Sequence, residues 1–216
     1  TVAVFSLLYT LVRLETMRNF GIMILLDLLQ RSETEILVLA GGEKVATFTV
    51  AELENMIVVN MGDYKTSRGE KKLLTKDLGS CVGVAVRDPR TGVGGLLHVM
   101  LPDHSIAKEG DASFVAAKYA DSGLDEMIRV LVQQGAERSR MVAKIAGAAH
   151  MIRNATIPEN RDISARNLTA VQEKLEALQI PLIASDVGEH YPRTVVFDPL
   201  SGALRILTPG KTEKWI

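Results

Sequence analysis

The chain has almost none of the residues that build covalent cross-links or metal sites. It carries one cysteine and four histidines in 216 residues. An intramolecular disulfide is therefore excluded, and the lone thiol, Cys81, has no Cys or His partner at ligand spacing. One cysteine also argues against a disulfide-stabilised secreted scaffold and fits a reducing cytoplasm. Excess charge is missing as well. Twenty-five Lys and Arg against 26 Asp and Glu leave a net charge of −1, which gives no whole-chain reason to expect nucleic acid or an anionic membrane as partner. No stretch approaches the roughly 20 apolar residues needed to span a bilayer, so direct membrane insertion is not expected. Internal repeats, low-complexity tracts and glycine-rich phosphate loops are absent too, and no cofactor or metal is expected. What is present is a 47% hydrophobic content, enough at this length for one domain with a substantial core.

Cys81 closes the run Thr75-Lys-Asp-Leu78-Gly79-Ser80-Cys81, and His98 comes later in Gly94-Gly95-Leu-Leu-His98-Val-Met-Leu-Pro102. From Cys81 to Arg87 the chain is β-branched and apolar, a strand pattern. Asp88-Pro89-Arg90-Thr91-Gly92 reads as a tight turn, and the second apolar run, Val93 to Leu101, stops at Pro102. The two runs are expected to pair as an antiparallel hairpin. If Arg87 faces Val93, Cys81 lies opposite Val99, beside His98; a loop one residue shorter sets Cys81 opposite His98. Opposed side chains have Cβ atoms about 4.5–5.5 Å apart, within reach of a thiol–imidazole contact. A register slip of one flips every side chain to the other face, so register decides whether the two meet.

Gly79 permits a tight or φ-positive bend, which would expose the sulfur and aim the Ser80 and Cys81 N–H groups into one space as oxyanion donors. Thr75, six residues upstream, is placed to orient the imidazole or the substrate. Nucleophile, base and orienting group is the general logic of an activated thiol, and a neighbouring imidazolium lowers a thiol pKa by several units. The bland readings stand beside this one: a lone intracellular cysteine is commonly a small buried hydrophobe, and a His in an apolar strand is commonly a satisfied core residue. On the residues alone, Cys81 is an inert core thiol, a redox-sensitive thiol or a nucleophile.

The rest of the chain suggests an α/β (α+β) layered sandwich: a mixed, largely antiparallel sheet with helices packed on it. Ser113 to Gln134 reads as a helix stopped by Gly135, and Ser164 to Leu178 as a second helix with Ser164 as its cap. Met141 to Ala146, Leu182 to Ser185, Arg193 to Phe197 and Ala203 to Leu207 read as strands. Ile22, Leu25, Leu26 and Leu29 recur at helical spacing, and Val2 to Val12 is a further apolar run without signal-peptide features. Residues 1–55 are accordingly read as a non-essential extension, either an added helical arm or residues ahead of a later native start such as Met56, and residues 56–216 as the working domain. The Asp103-His104 pair, His150 and His190 are expected at the surface or in loops, and Arg166-Asn167 on an exposed helix face.

Thr75-x-x-Leu-Gly-Ser-Cys81, Asp88-Pro89, Gly94-Gly95-Leu-Leu-His98-Val-Met-Leu-Pro102 and Lys118-Tyr-Ala-Asp121 resemble the CheD family of chemoreceptor glutamine deamidases. So do Gly135-Ala136, Ala143-Lys-Ile-Ala-Gly147, Ala165-Arg-Asn167 and Asp186-Val-Gly188, and the similarity runs over about residues 56–216. The resemblance implies a layered α/β fold with Cys81 as nucleophile, His98 as base and Thr75 assisting. It further implies a cytoplasmic enzyme that hydrolyses glutamine side chains of methyl-accepting chemotaxis receptors to glutamate and has a CheC-type phosphatase as partner. Two departures are visible: Ala146-Gly147-Ala148 replaces a double glycine common in relatives, and Asp186-Val187-Gly188-Glu189 replaces Asp-x-Gly-Gly. The alternative function is a binding module that docks on the CheC-type phosphatase.

Overall fold

The β-branched segment Val82–Arg87 is buried through its first five residues, and such a two-sided run belongs at the centre of a sheet covered on both faces. The computed structural model, which describes residues 25–26, 35–40, 43–106, 114–151, 158 and 161–216, places it there. The chain divides into two compact units, Thr1–Glu54 and Asn55–Ile216. In the first, strands β1 (Leu25–Leu26), β2 (Glu35–Ala40) and β3 (Glu43–Thr49) form an antiparallel sheet that leads into the short helix α1 (Val50–Glu54). Leu25 and Leu26 therefore sit in a strand, against Leu37 and Ile36, and not in the expected helix; short apolar runs suit either element, and pairing decides between them. Ile22, Leu29 and the run Val2 to Val12 lie outside the described residues.

The second unit is a layered α/β sandwich of two five-stranded mixed sheets, largely antiparallel as expected. The first sheet runs β10 (Leu182–Val187), β9 (Val142–Gly147), β7 (Val82–Arg87), β8 (Gly94–Val99), β5 (Tyr64–Ser67), with β10 and β9 parallel. The second runs β13 (Lys214–Trp215), β12 (Leu204–Leu207), β11 (Arg193–Phe197), β6 (Lys72–Leu78), β4 (Met56–Val58), with β4 and β6 parallel. Helices α2 (Ala120–Gln133) and α3 (Ile163–Ala177) cover the first sheet.

Strand alternation sorts the core into two layers. Val82, Val84, Val86, Leu97 and Val99 point to the helices and pack with Leu124, Met127, Leu131, Val171 and Leu175. Ala85 and Leu96 point the other way, onto Leu73, Leu78, Val195, Phe197 and Leu204 between the sheets. Among the described residues no helix is long and apolar enough to cross a membrane.

Element ends differ from expectation for identifiable reasons. The helix expected from Ser113 begins only at Ala120, because Lys118 O accepts from Met100 N and Leu101 N and Tyr119 stays extended in a bridge with Leu101. The cap of α3 is Asp162, whose carboxylate accepts from Ser164 N, and not Ser164 itself. The β7–β8 register also moves by one: Arg87 pairs with Gly94, and Asp88 N donates to Val93 O. Asp88 leaves the turn because its buried carboxylate accepts from Arg140 Nε, Glu137 N and Arg90 N. The Arg140 guanidinium and these N–H groups hold its carboxyl well below the ordinary carboxylate range. Asp88→Ala strips several bonds from one buried anion and leaves Arg140 with Glu137 as its ion-pair partner. It is expected to cost about 3 kcal/mol, read as a lower urea midpoint with an unchanged slope.

Candidate active site

Thr75 and His98 meet from the two sheets, and Cys81 lies on the same inter-sheet side. His98 lies on β8 opposite Gly83, so its imidazole shares a face with Ala85 and Leu96, the side turned toward the second sheet. Cys81 stands two residues before Gly83 and packs against that same inter-sheet cluster. Ala148 N donates to Cys81 O at 2.7 Å, which carries the β7–β9 hydrogen-bond pattern one residue past the strand. The two expected registers, Cys81 opposite Val99 or opposite His98, are both replaced. Cys81 and His98 are diagonal neighbours across the ribbon, a relation of about 7–8 Å that long side chains span. The position between them is Gly83, which places no side chain in the gap; a Cβ there would come within 2.8 Å of Leu78 Cδ1.

Thr75 approaches from β6, in the middle of the second sheet and fully buried. Its Oγ1 lies 2.8 Å from His98 Nδ1 and 2.8 Å from Val59 O. The Val59 carbonyl has no proton to give, so the single threonine proton goes to it. Oγ1 must then accept from His98, which fixes the Nδ1–H tautomer and leaves Nε2 with its lone pair. Nε2 is buried and has no partner among the described residues.

The segment that delivers Cys81 leaves β6 through a bulge. Leu78 pairs with Arg193 and Thr75 with Val195, so Lys76 and Asp77 together face Thr194. The left-handed residue is Asp77, at φ 59, and not Gly79 as the sequence suggested. A bulge of this kind bends the strand and re-aims the residues beyond it. A Cβ at Gly79 would sit 3.1 Å from Cγ of the exposed Met151 side chain. No described residue accepts from the N–H of Ser80 or Cys81.

Burial sets the charge state. With 0% exposure, the His98 imidazolium is pushed down to about 4, and burial pushes the Cys81 thiol up to about 11. Both groups are neutral at pH 7. Burial works against the expected lowering of the thiol by an adjacent imidazolium, since neither charge is solvated there. A neutral thiol and an imidazole lone pair thus lie on the same inter-sheet side.

Two residues that sequence reasoning passed over hold this geometry. Gly147 ends β9 at φ 115, and a Cβ there would lie 2.3 Å from Cys81 O. Gly147→Ala is expected to cost about 3 kcal/mol and more than tenfold in activity, since strain and a backbone clash add. Gly135→Ala, at φ 100 with open space around it, isolates the strain contribution and is expected to cost about 1 kcal/mol. Both are read by thermal unfolding. The second residue is Asn167, assigned from sequence to an exposed helix face. It is fully buried and donates from Nδ2 to Ser80 O at 3.0 Å and Met100 O at 2.9 Å; Arg166 beside it is exposed. A signal was available: asparagine recurs with the apolar face of α3, in line with Val171 and Leu175.

His104, His150 and His190 are exposed. Their partners are local: Asp121 for His104, Asp162 for His150, and the His150 carbonyl for His190. Among the described residues no three His, Cys, Asp or Glu side chains come together to hold a metal ion. The two departures noted in the sequence fall at left-handed backbone, Ala148 at φ 51 and Glu189 at φ 64, positions where glycine carries no steric cost.

Residues 100–208 match a family model described as CheD chemotactic sensory transduction. Curated relatives carry the same name. The chain is 42% identical over 161 residues to a probable chemoreceptor glutamine deamidase CheD of Lachnoclostridium phytofermentans, covering 74% of this chain and 98% of that one. It is 40% identical over 164 residues to proteins of the same description from Syntrophomonas wolfei and Desulfitobacterium hafniense, covering 76% of this chain and all of theirs. An alignment of that length necessarily spans Thr75, Cys81 and His98 in a chain of 216 residues.

Proposed function

Because the chain belongs to the CheD family, we propose that it hydrolyses glutamine side chains of chemoreceptors to glutamate, with Cys81 as the nucleophile. The observation that carries this reading is the Thr75–His98 contact, which leaves a buried Nε2 lone pair on the face that Cys81 shares.

The carboxamide carbon of a receptor glutamine is set against Cys81 Sγ. As the S–C bond forms, the thiol proton passes to His98 Nε2, and Thr75 accepts from Nδ1–H of the resulting imidazolium. Charge developing on the carbonyl oxygen is taken up by the N–H groups of Ser80 and Cys81, from which no described residue accepts. The intermediate collapses with cleavage of the C–N bond, and His98 returns its proton to the departing nitrogen, releasing ammonia and leaving a thioester. A water then gives a proton to Nε2 and its oxygen to the acyl carbon. The C–S bond breaks, glutamate is released, and the proton returns to sulfur; one imidazole serves as base and acid in turn. A glutamate methyl ester fits the same sequence, with methanol leaving in place of ammonia. All five groups belong to the second unit, so residues 1–55 are assigned no chemistry.

The test is mass spectrometry of a chemoreceptor from the same cell incubated with the wild-type protein and with Cys81→Ala. Amide-to-acid conversion at defined glutamines with the wild type alone supports the proposal. Conversion that persists undiminished with Cys81→Ala sinks it.

A further inference from the structure

Asn167 occupies a position where an amide has no reason to be unless its contacts matter. It lies on α3 between Ser164 and Val171, all three buried, on the helix face that packs against the first sheet. A polar side chain there is costly unless it is bonded, and asparagine is a weak helix former. Both Nδ2 protons are used, one on Ser80 O and one on Met100 O. The last pair of the β7–β8 ladder is Val82 with Val99. Asn167 therefore clamps the two chains just past the end of that ladder, one residue before Cys81 and two residues after His98.

We infer that Asn167 is a positioning residue that aims the Cys81 N–H at the developing oxyanion. The warrant is peptide planarity. Ser80 C=O and Cys81 N–H belong to one rigid unit and point in opposite directions, so a carbonyl fixed by Asn167 fixes the direction of the N–H. The same side chain, through Met100 O, ties down the backbone just after β8. Two carbonyl acceptors require two donors from one short side chain, which an asparagine amide supplies and an aspartate does not. Its Oδ1 has no partner among the described residues, so the Nδ2 bonds are what hold the group. This inference rests on the reading of Cys81 as nucleophile.

The experiment compares Asn167→Ala and Asn167→Asp with the wild type for deamidation, thermal unfolding, and alkylation of Cys81 by iodoacetamide, a reaction that builds no oxyanion. For Asn167→Ala the expected result is a fall in kcat of about 30–100-fold with KM and alkylation rate within about twofold. Asn167→Asp offers a single donor, and only when its carboxyl is protonated. Its kcat relative to the wild type is expected to rise between about pH 8 and about pH 5. An unchanged kcat in either folded variant overturns the inference, as does a fall in kcat matched by an equal fall in alkylation. If neither variant folds, proton exchange in the wild type decides: slow exchange of both Asn167 side-chain amide protons supports the clamp, and fast exchange refutes it. Deamidation surviving in Cys81→Ala sinks the nucleophile reading. Its loss there, with kcat intact in Asn167→Ala, sinks the role of Asn167 alone.

Discussion

Replacing Cys81 with serine is expected to lower glutamine deamidation by at least about 10³-fold while leaving the unfolding midpoint within a few degrees. The size of the effect comes from the acidity of the two partners. Burial sets the thiol at about 11 and the imidazolium at about 4. Proton transfer from the thiol to the imidazole therefore climbs a wide acidity gap, less whatever the attraction of the resulting charges returns. A thiol crosses that gap when bond formation to carbon and the oxyanion donors lower the energy of the charged state together. A hydroxyl is a weaker acid by several units more, and the same weak base cannot deprotonate it at a useful rate. Sulfur is also the better nucleophile and the better leaving group in the second half of the reaction. The measurement is single-turnover mass spectrometry of receptor glutamines at saturating enzyme. A serine variant with more than about a tenth of the wild-type rate would show that the sulfur does not form the acyl intermediate.

The second large effect is on pH. The acid limb of kcat/KM reports the free-enzyme base, and it is expected near pH 4 and not near 6.5, because His98 is buried without a counter-charge. His98→Gln keeps the volume and part of the hydrogen bonding but removes the proton acceptor; a loss of about 10³-fold and disappearance of that limb are expected. Thr75→Val, which releases the tautomer, is expected to cost about tenfold in kcat with the limb retained. The same shift has a stability consequence of definite sign. The folded protein binds the His98 proton at about 4 and the unfolded chain at about 6.5, so between those values the unfolded state holds more protons. Stability from His98 is complete above about pH 6.5 and is lost as pH falls toward 4, by about 3 kcal/mol in all. Urea titrations at a series of pH values read this directly, and the His98→Gln protein is expected to lack that slope.

The hairpin that carries both reacting groups was legible because its signals are local: β-branched runs, an Asp-Pro-Arg-Thr-Gly turn and a terminating proline. Its register was not, because Arg140 and Glu137, about fifty residues away, draw Asp88 out of the turn and into the line of the strand. Cys81 and His98 still share a face because the observed pairing of Gly83 with His98 differs by two residues from the register that set Cys81 opposite His98, and an even shift keeps the alternation. The short strands β4 and β5 gave no sequence signal, being three and four residues long and defined only by their partners. Thr75 was visible as a spacing from Cys81, whereas its contact with His98 runs between two sheets and appears in no local pattern. Asn167 was misplaced for a related reason. Its polarity suggested the solvent side, but the acceptors it satisfies, Ser80 O and Met100 O, are backbone groups contributed by other elements.

The Thr75–His98 bond joins a strand of one sheet to a strand of the other. The imidazole lone pair is therefore presented only while the two sheets stay closed on each other. A state that keeps every strand ladder but lets the layer between the sheets swell, as partly denatured compact states do, retains its far-ultraviolet signal and loses its base. With His98 as the proposed base, turnover gauges the closure of the sandwich, and under gentle heating or mild acid it is expected to fade while the strands themselves still register as intact.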